Sequence, residues 1–232
     1  DEERDYHFRY VLEDNFGNRR TYQFIVKGKR QDIPEYKPET NEMLYWNRTN
    51  VIQKPGMELV VPRYYVYEDV PLRTDMRGDS SHIAFDYILD AGRTPIHSYC
   101  DLSIGLRHMP VADTTKYYIV QKAGKWRSSM GGKYANGWIK TRVRSLGTFS
   151  VDVDTIAPQI TPIGQGGWRT SRNIRFRIKD MESGIGSYKV YIDGKFVLFG
   201  LKKGILVIQD PEKVKKGVSH KLEVTVTDQC GN

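Results

Sequence analysis

YVLEDNFGN (residues 10–18) and VTVTDQCGN (residues 224–232) are two versions of one phrase, an alternating run that enters Asp-x-x-Gly-Asn. Apolar and polar residues alternating with period two predict a strand. Asp and Asn bond their own backbone and Gly accepts positive φ, so the phrase reads as a strand ending in a tight turn. After the first copy a second alternating run begins, TYQFIVKG (21–28). Residues 6–27 are therefore expected as a hairpin, with Phe8, Tyr10 and Leu12 on one strand and Tyr22, Phe24 and Val26 on the other. The second copy stops at Asn232. The repeated phrase predicts a chain that opens on the closing hairpin of one β domain (1–30) and ends one strand short of completing another. A hairpin alone is marginal and leaves a row of aromatics wet, so it is expected to pack on the next domain, on an upstream domain or on a neighbouring molecule.

Working outward, the composition agrees with strands. Tyr (15) and Gly (21) are abundant, and hydrophobic residues make up 39%, enough for folded cores. At 232 residues the chain accommodates two ordinary domains and a fragment. The formal charge of +8 favours anionic partners, although no Lys/Arg run is long and a scattered solubilising surface accounts for it equally. No stretch reaches the roughly 18 apolar residues of a membrane span, and no signal peptide is visible at Asp1. Cys100 and Cys230 fall in different predicted domains and outside any CxxC pair, which argues against a disulfide between them and against a structural zinc site.

Residues 31–41 are polar with two prolines and read as a linker. Residues 42–153 carry short alternating runs, among them Ile83–Leu89 and Leu102–Leu106, with a further strand at Tyr117–Val120, separated by turn residues, and predict a β-sandwich. DTIAPQI (154–160) opens the last domain, 154–232. There Ile174, Phe176 and Ile178 point one way, and Arg175, Arg177 and Lys179 the other. A helical turn is expected over 211–216, capped by Asp210 and stopped by Gly217.

Several groups have chemistry to weigh. Trp126, Tyr134 and Trp138 around the glycine corner MGGKYANG (130–137) would suit a sugar-stacking platform, or simply a core and corner. The stripe Arg175, Arg177, Lys179, with Lys213, Lys215, Lys216 and Lys221 near in sequence, would grip an anionic polymer. It lacks the interleaved aromatics of a single-strand nucleic-acid platform, so no nucleic acid is expected. Asp180, Glu182 and Asp228 would hold a hard cation such as calcium, unless the aspartates merely accept N–H bonds in their own turns, as Asp14 would in the first phrase. His97, Cys100 and Asp101 place a thiol near an imidazole, but residues three apart on a strand face opposite sides, which favours a plain strand cysteine.

The order Asp154-Thr-x-x-Pro158, Asp180-x-x-Ser183-Gly184-Ile185, Asp193-Gly194, His220, Asp228-x-x-Gly231-Asn232 resembles bacterial immunoglobulin-like domains. GMELVVP (56–62) and IHSYCDLSIGL (96–106) are similar to the β-sandwich of ankyrins and netrin receptors. The whole order resembles the accessory region downstream of the catalytic domain in lysostaphin-type zinc metallopeptidases of Bacteroides-like bacteria. The resemblance implies an all-β chain of two β-sandwich domains, the last immunoglobulin-like, preceded by an N-terminal hairpin from an upstream immunoglobulin-like domain. It implies export to the periplasm or cell envelope. The implied role is non-catalytic, positioning or anchoring the enzyme's own upstream catalytic domain at peptidoglycan or another anionic envelope polymer. The family's zinc site needs His-x(3)-Asp and His-x-His. His7, His82, His97, His108 and His220 stand in neither spacing, so no catalytic, cofactor-binding or metal residue carries over, and zinc is expected only in a catalytic domain outside this chain. The alternative is a stand-alone immunoglobulin-like surface adhesion or glycan-binding protein without enzymatic activity.

Overall fold

The computed structural model describes residues 3–30 and 40–232. The fold is all-β: an N-terminal hairpin, then two β-sandwiches, the last immunoglobulin-like. Among the described residues no helix is long and apolar enough to cross a membrane. The hairpin joins β1 (Asp5–Glu13) to β2 (Arg19–Lys27), with Phe8 opposite Phe24 and Tyr10 opposite Tyr22. Phe24 stacks against both Phe8 and Tyr10, at 5.3 and 5.8 Å between ring centroids. Two strands cannot cover either of their faces, and Tyr10 and Tyr22 stay about half exposed. Most of the expected linker lies outside the described residues. Its last residue is already anchored: Asn41 exchanges side-chain hydrogen bonds with the backbone of Thr74 at 2.7 and 2.8 Å.

The first sandwich contains β3 (Glu42–Leu44), β4 (Asn50–Lys54), β5 (Met57–Val61), β6 (Val70–Arg77), β7 (Asp86–Asp90), β8 (Cys100–Gly105), β9 (Tyr117–Ala123), β10 (Trp126–Ser129), β11 (Lys133–Ala135), β12 (Trp138–Val143) and β13 (Gly147–Val153). One sheet runs β11-β12-β8-β5-β4 and the other β10-β9-β13-β7-β6-β3, every pairing antiparallel. The alternation read from the sequence sets the layers: Met57, Leu59 and Val61 on β5, and Cys100, Leu102 and Ile104 on β8, all face one core with Ile139 and Phe149. Strand β9 differs. Its run Tyr117-Tyr118-Ile119-Val120 is buried at every position. Tyr117 and Ile119 enter this core, whereas Tyr118 and Val120 pack against Cys230 of the last domain. An unbroken apolar run marks a strand covered on both sides.

The last domain stacks the sheet β14 (Gln159–Pro162), β15 (Arg175–Lys179), β19 (Ile205–Ile208) and β18 (Phe199–Lys202) on a second sheet of β17 (Lys195–Phe196), β16 (Ile185–Ile192) and β20 (Leu222–Asp228). Phe176, Ile178, Val190, Leu206 and Ile208 fill the space between. The expected helical turn is a 3-10 turn over Pro211–Lys213, and Asp210 does not cap it with its side chain; its carboxylate takes the Lys213 ammonium at 2.5 Å instead. A short helix that the strand pattern did not announce, α1 (Trp168–Ser171), follows β14. The Trp168 indole N–H is satisfied by the Ile163 carbonyl at 3.0 Å, and the ring meets Phe176 edge-on.

Strand β16 reaches the end of β20 through an irregularity between Ile185 and Ser187. A Cβ on Gly186 would lie 2.4 Å from the Asp228 carbonyl oxygen. Gly186→Ala is therefore expected to cost about 1–3 kcal/mol, as overpacking against backbone does. Urea unfolding of the variant checks this; an unchanged midpoint would show that the two strands separate freely there.

Candidate functional site

Three aspartates are held by the same local geometry. Asp14 accepts the N–H groups of Phe16 and Asn18 on Oδ1, both at 2.9 Å, and the Asn18 amide on Oδ2. Asp228 repeats this with Cys230, Asn232 and the Asn232 amide at 2.8–2.9 Å. Gly17 and Gly231 sit at φ +82° and +79°. Asp180 accepts from Glu182 and Gly184 at 3.0 and 2.7 Å. So the turn role expected for these aspartates is what the structure shows.

The turns also converge. Asp154, at the start of the last domain, accepts the Ile156 N–H on Oδ1 and the Ser183 N–H on Oδ2, at 3.0 and 2.9 Å. Its own carbonyl accepts the Asn232 amide at 3.0 Å. One carboxylate oxygen from each of Asp154, Asp180 and Asp228 lies within 4.8 Å of the others. Asp154 and Asp228 are buried and Asp180 is half-buried. Asp154 therefore takes the place expected for Glu182, whose carboxylate instead accepts the Tyr118 hydroxyl at 3.3 Å. Sequence reading missed Asp154 because it lies far from Asp180 along the chain and looked like a boundary marker.

This cluster sits at the joint between the sandwiches. The Lys116 ammonium donates to the Cys230 carbonyl at 3.0 Å, the Asp154 N–H donates to the Lys116 carbonyl at 2.9 Å, and Ser129 donates to Gln229 at 3.3 Å. Burial alone would raise the Asp154 pKa. The Ser183 side chain, the N–H groups of Ile156 and Ser183 and the Lys116 charge outweigh it, holding the carboxyl below its ordinary value. Burial pushes Tyr118 up, with Asp152 and Glu182 adding to it, and burial pushes the Cys230 thiol up to about 11.

Trp126 stands exposed on β10, in one sheet, while Tyr134 and Trp138 belong to the opposite sheet. Tyr134 lies opposite Ile139 and Trp138 opposite Ala135, so these two rings leave their hairpin on opposite faces. The three do not form one platform. Cys100 is buried in the first core with its thiol raised to about 11 by burial and by Asp101, and the His97 ring is engaged by the Tyr67 hydroxyl at 3.0 Å. That arrangement does not supply a thiolate. Arg175, Arg177 and Lys179 line the outer face of β15, and Lys202 on β18 joins them across Ile205. None of the four pairs with a carboxylate among the described residues. Lys213 and Lys221 do pair, with Asp210 and Glu223.

His220 closes the Asp193–Gly194 turn. Its Nδ1 lies 2.6 Å from Asp193 Oδ2 and its Nε2 lies 2.8 Å from the Lys215 carbonyl. Two acceptors suit the doubly protonated ring, and both raise its pKa, Asp193 most.

Among known families, the one described as Zu5-like domain matches residues 41–154, the span of the first sandwich. No curated protein and no solved structure matches the chain.

Two outcomes follow from this geometry. Asp154→Ala strands the buried Ser183 N–H and the partly buried Ile156 N–H and is expected to destabilise the chain by about 2–6 kcal/mol, at about 1–3 kcal/mol for each unpaired group, read by chemical denaturation. The raised His220 pKa stabilises the folded state fully below the unfolded value of about 6.5, and that contribution is lost as pH rises through the folded value. An NMR titration should place His220 above 6.5, with Asp193→Asn lowering it; a midpoint that does not move in the variant would remove Asp193 as the cause.

Proposed function

We propose that this chain is a non-catalytic binding and positioning region that holds a cell-wall peptidase of the lysostaphin type at an anionic envelope polymer such as peptidoglycan. The observation that carries the reading is the outer face of the β14-β15-β19-β18 sheet. It presents Arg175, Arg177, Lys179 and Lys202 beside Gln159, Thr161, Ile205 and Val207, with no carboxylate among them. A flat face of one sign attracts a repeating polyanion without demanding a pocket. The order of motifs along the chain supports the peptidase context and export to the envelope. The zinc of such an enzyme would belong to its catalytic domain.

Co-sedimentation with purified cell-wall sacculi tests the binding part. Arg175→Glu/Arg177→Glu/Lys179→Glu is expected to weaken binding about tenfold or more, and salt to weaken the native chain, as screening requires. Binding indifferent to both would discard the basic face. Immunoblotting of source cells tests the peptidase context: the expected band is much heavier than 26.8 kDa and carries chelator-sensitive wall-lytic activity. A band near 26.8 kDa without it would favour the stand-alone adhesion.

A further inference from the structure

We propose that the joint between the two sandwiches is a calcium site formed by Asp154, Asp180 and Asp228, with Ser183 in its wall. The carboxylate oxygens of the three aspartates lie within 4.8 Å of one another. Calcium sits 2.3–2.6 Å from its ligands, so an ion among the three oxygens needs ligand separations no greater than about 5 Å. The turn bonds leave most room at Asp180, where both fall on Oδ2 and Oδ1 stays open among the described residues. Each Asp154 oxygen accepts one N–H, and Asp228 accepts two N–H groups on Oδ1 and the Asn232 amide on Oδ2, so these two carboxylates would share their oxygens with the ion.

Charge points the same way. Three carboxylates meet here, two of them buried, and Glu182 lies close by at the Tyr118 hydroxyl, whereas Asp152 on the other side of that ring is paired with Arg127. Lys116 is the ammonium that faces Asp154, and it is held by the Cys230 carbonyl while Asp113 also draws on it, at 4.0 Å. One shared ammonium leaves the cluster short of positive charge.

The independent sign of a ligand is Ser183. It is 0% exposed, and its Oγ is a fully enclosed side-chain oxygen that closes no hydrogen bond. The Ser183 N–H is bonded to Asp154 Oδ2 at 2.9 Å, which sets the residue against the cluster. A buried hydroxyl without a partner is costly. A cation with its bound water gives it one. The donors are all oxygen, which selects a hard cation. They come from three separate segments that backbone bonds hold in place, which suits the variable shell of calcium better than the tight octahedron of magnesium. Bound there, the ion ties residues 154, 180 and 228 together and fixes the last domain on β9. This inference does not rest on the proposed function, and either can fail alone.

The test uses the whole 232-residue chain, stripped with chelator. Calorimetric titration with Ca2+ is expected to give one site, with a dissociation constant on the order of 10⁻³ M or tighter, the range of extracellular modules. Tb3+ should show luminescence sensitised through Tyr118 and be displaced by Ca2+ but not by equimolar Mg2+. Asp180→Asn keeps an oxygen for the two turn N–H groups while removing the charge, and should weaken Ca2+ at least tenfold with the circular dichroism unchanged. Should that variant misfold, the native chain alone decides, since its unfolding midpoint must rise with Ca2+ and not with Mg2+. No heat, no Tb3+ signal and no midpoint shift at millimolar Ca2+ would overturn the site and leave the three aspartates as turn acceptors alone. Undiminished binding in folded Asp180→Asn would overturn it equally.

Discussion

One buried carboxylate orders the joint between the two sandwiches. Asp154 leaves the first sandwich and enters the second, and each of its oxygens takes a backbone N–H from a different segment. Its carbonyl receives the Asn232 amide, so the last turn is fixed to the first residue of its own domain. A charged acceptor makes hydrogen bonds roughly twice as strong as neutral ones, and burial makes their loss more costly still. The Asp154 N–H is bonded in turn to the Lys116 carbonyl at the start of β9. The same residue therefore sets the register of the connection and the placing of two turns. The hydrophobic contact of Tyr118, Val120 and Cys230 closes around that arrangement.

The Asp-centred turn recurs because it solves a problem common to all strand ends. The chain must reverse while its N–H groups stay paired, and an aspartate two and four residues upstream can accept two of them at once. In the hairpin this turn lies between β1 and β2, where Asp14 is exposed and accepts from its own loop. At the end of β20 the same turn buries Asp228 and Cys230, and its Asn232 amide is shared with Asp154. One local sequence thus does two jobs, and what separates them is the surroundings.

That distinction explains what could be read from the chain and what could not. Period-two alternation placed the strands and identified the outer cations of β15, because those features depend on neighbours two residues apart. The turn chemistry of Asp14, Asp180 and Asp228 was legible for the same reason. The meeting of Asp154 with Asp180 and Asp228 was not, since it depends on how whole strands stack. Nor was the separation of Trp126 from Tyr134 and Trp138, which sit close in sequence but are divided between two sheets. Lys213 and Lys221 looked like an extension of the basic stripe; the fold gives each an acidic partner, and such charges add little to an anionic grip. The YYIV run of β9 is expected only as a strand; its cover on both faces emerges from the fold, and the missing polar alternation is the local sign that could have announced it.

The two sandwiches have separate cores but are not independent. Cutting the chain at the boundary the sequence suggests would expose Tyr118 and Val120 on an otherwise polar sheet face, and would leave the Lys116 ammonium without the Cys230 carbonyl. It would also divide the bonds of Asp154 between two pieces. Modules joined by a polar tether move freely, whereas modules that share a buried strand face and a carboxylate hold a set orientation. The proposed role, presenting a basic face at a defined position, would need the second kind of joint. The hydrogen bonds and the Lys116 charge around Asp154 outweigh the cost of enclosing its carboxylate, and they fix the geometry between the domains.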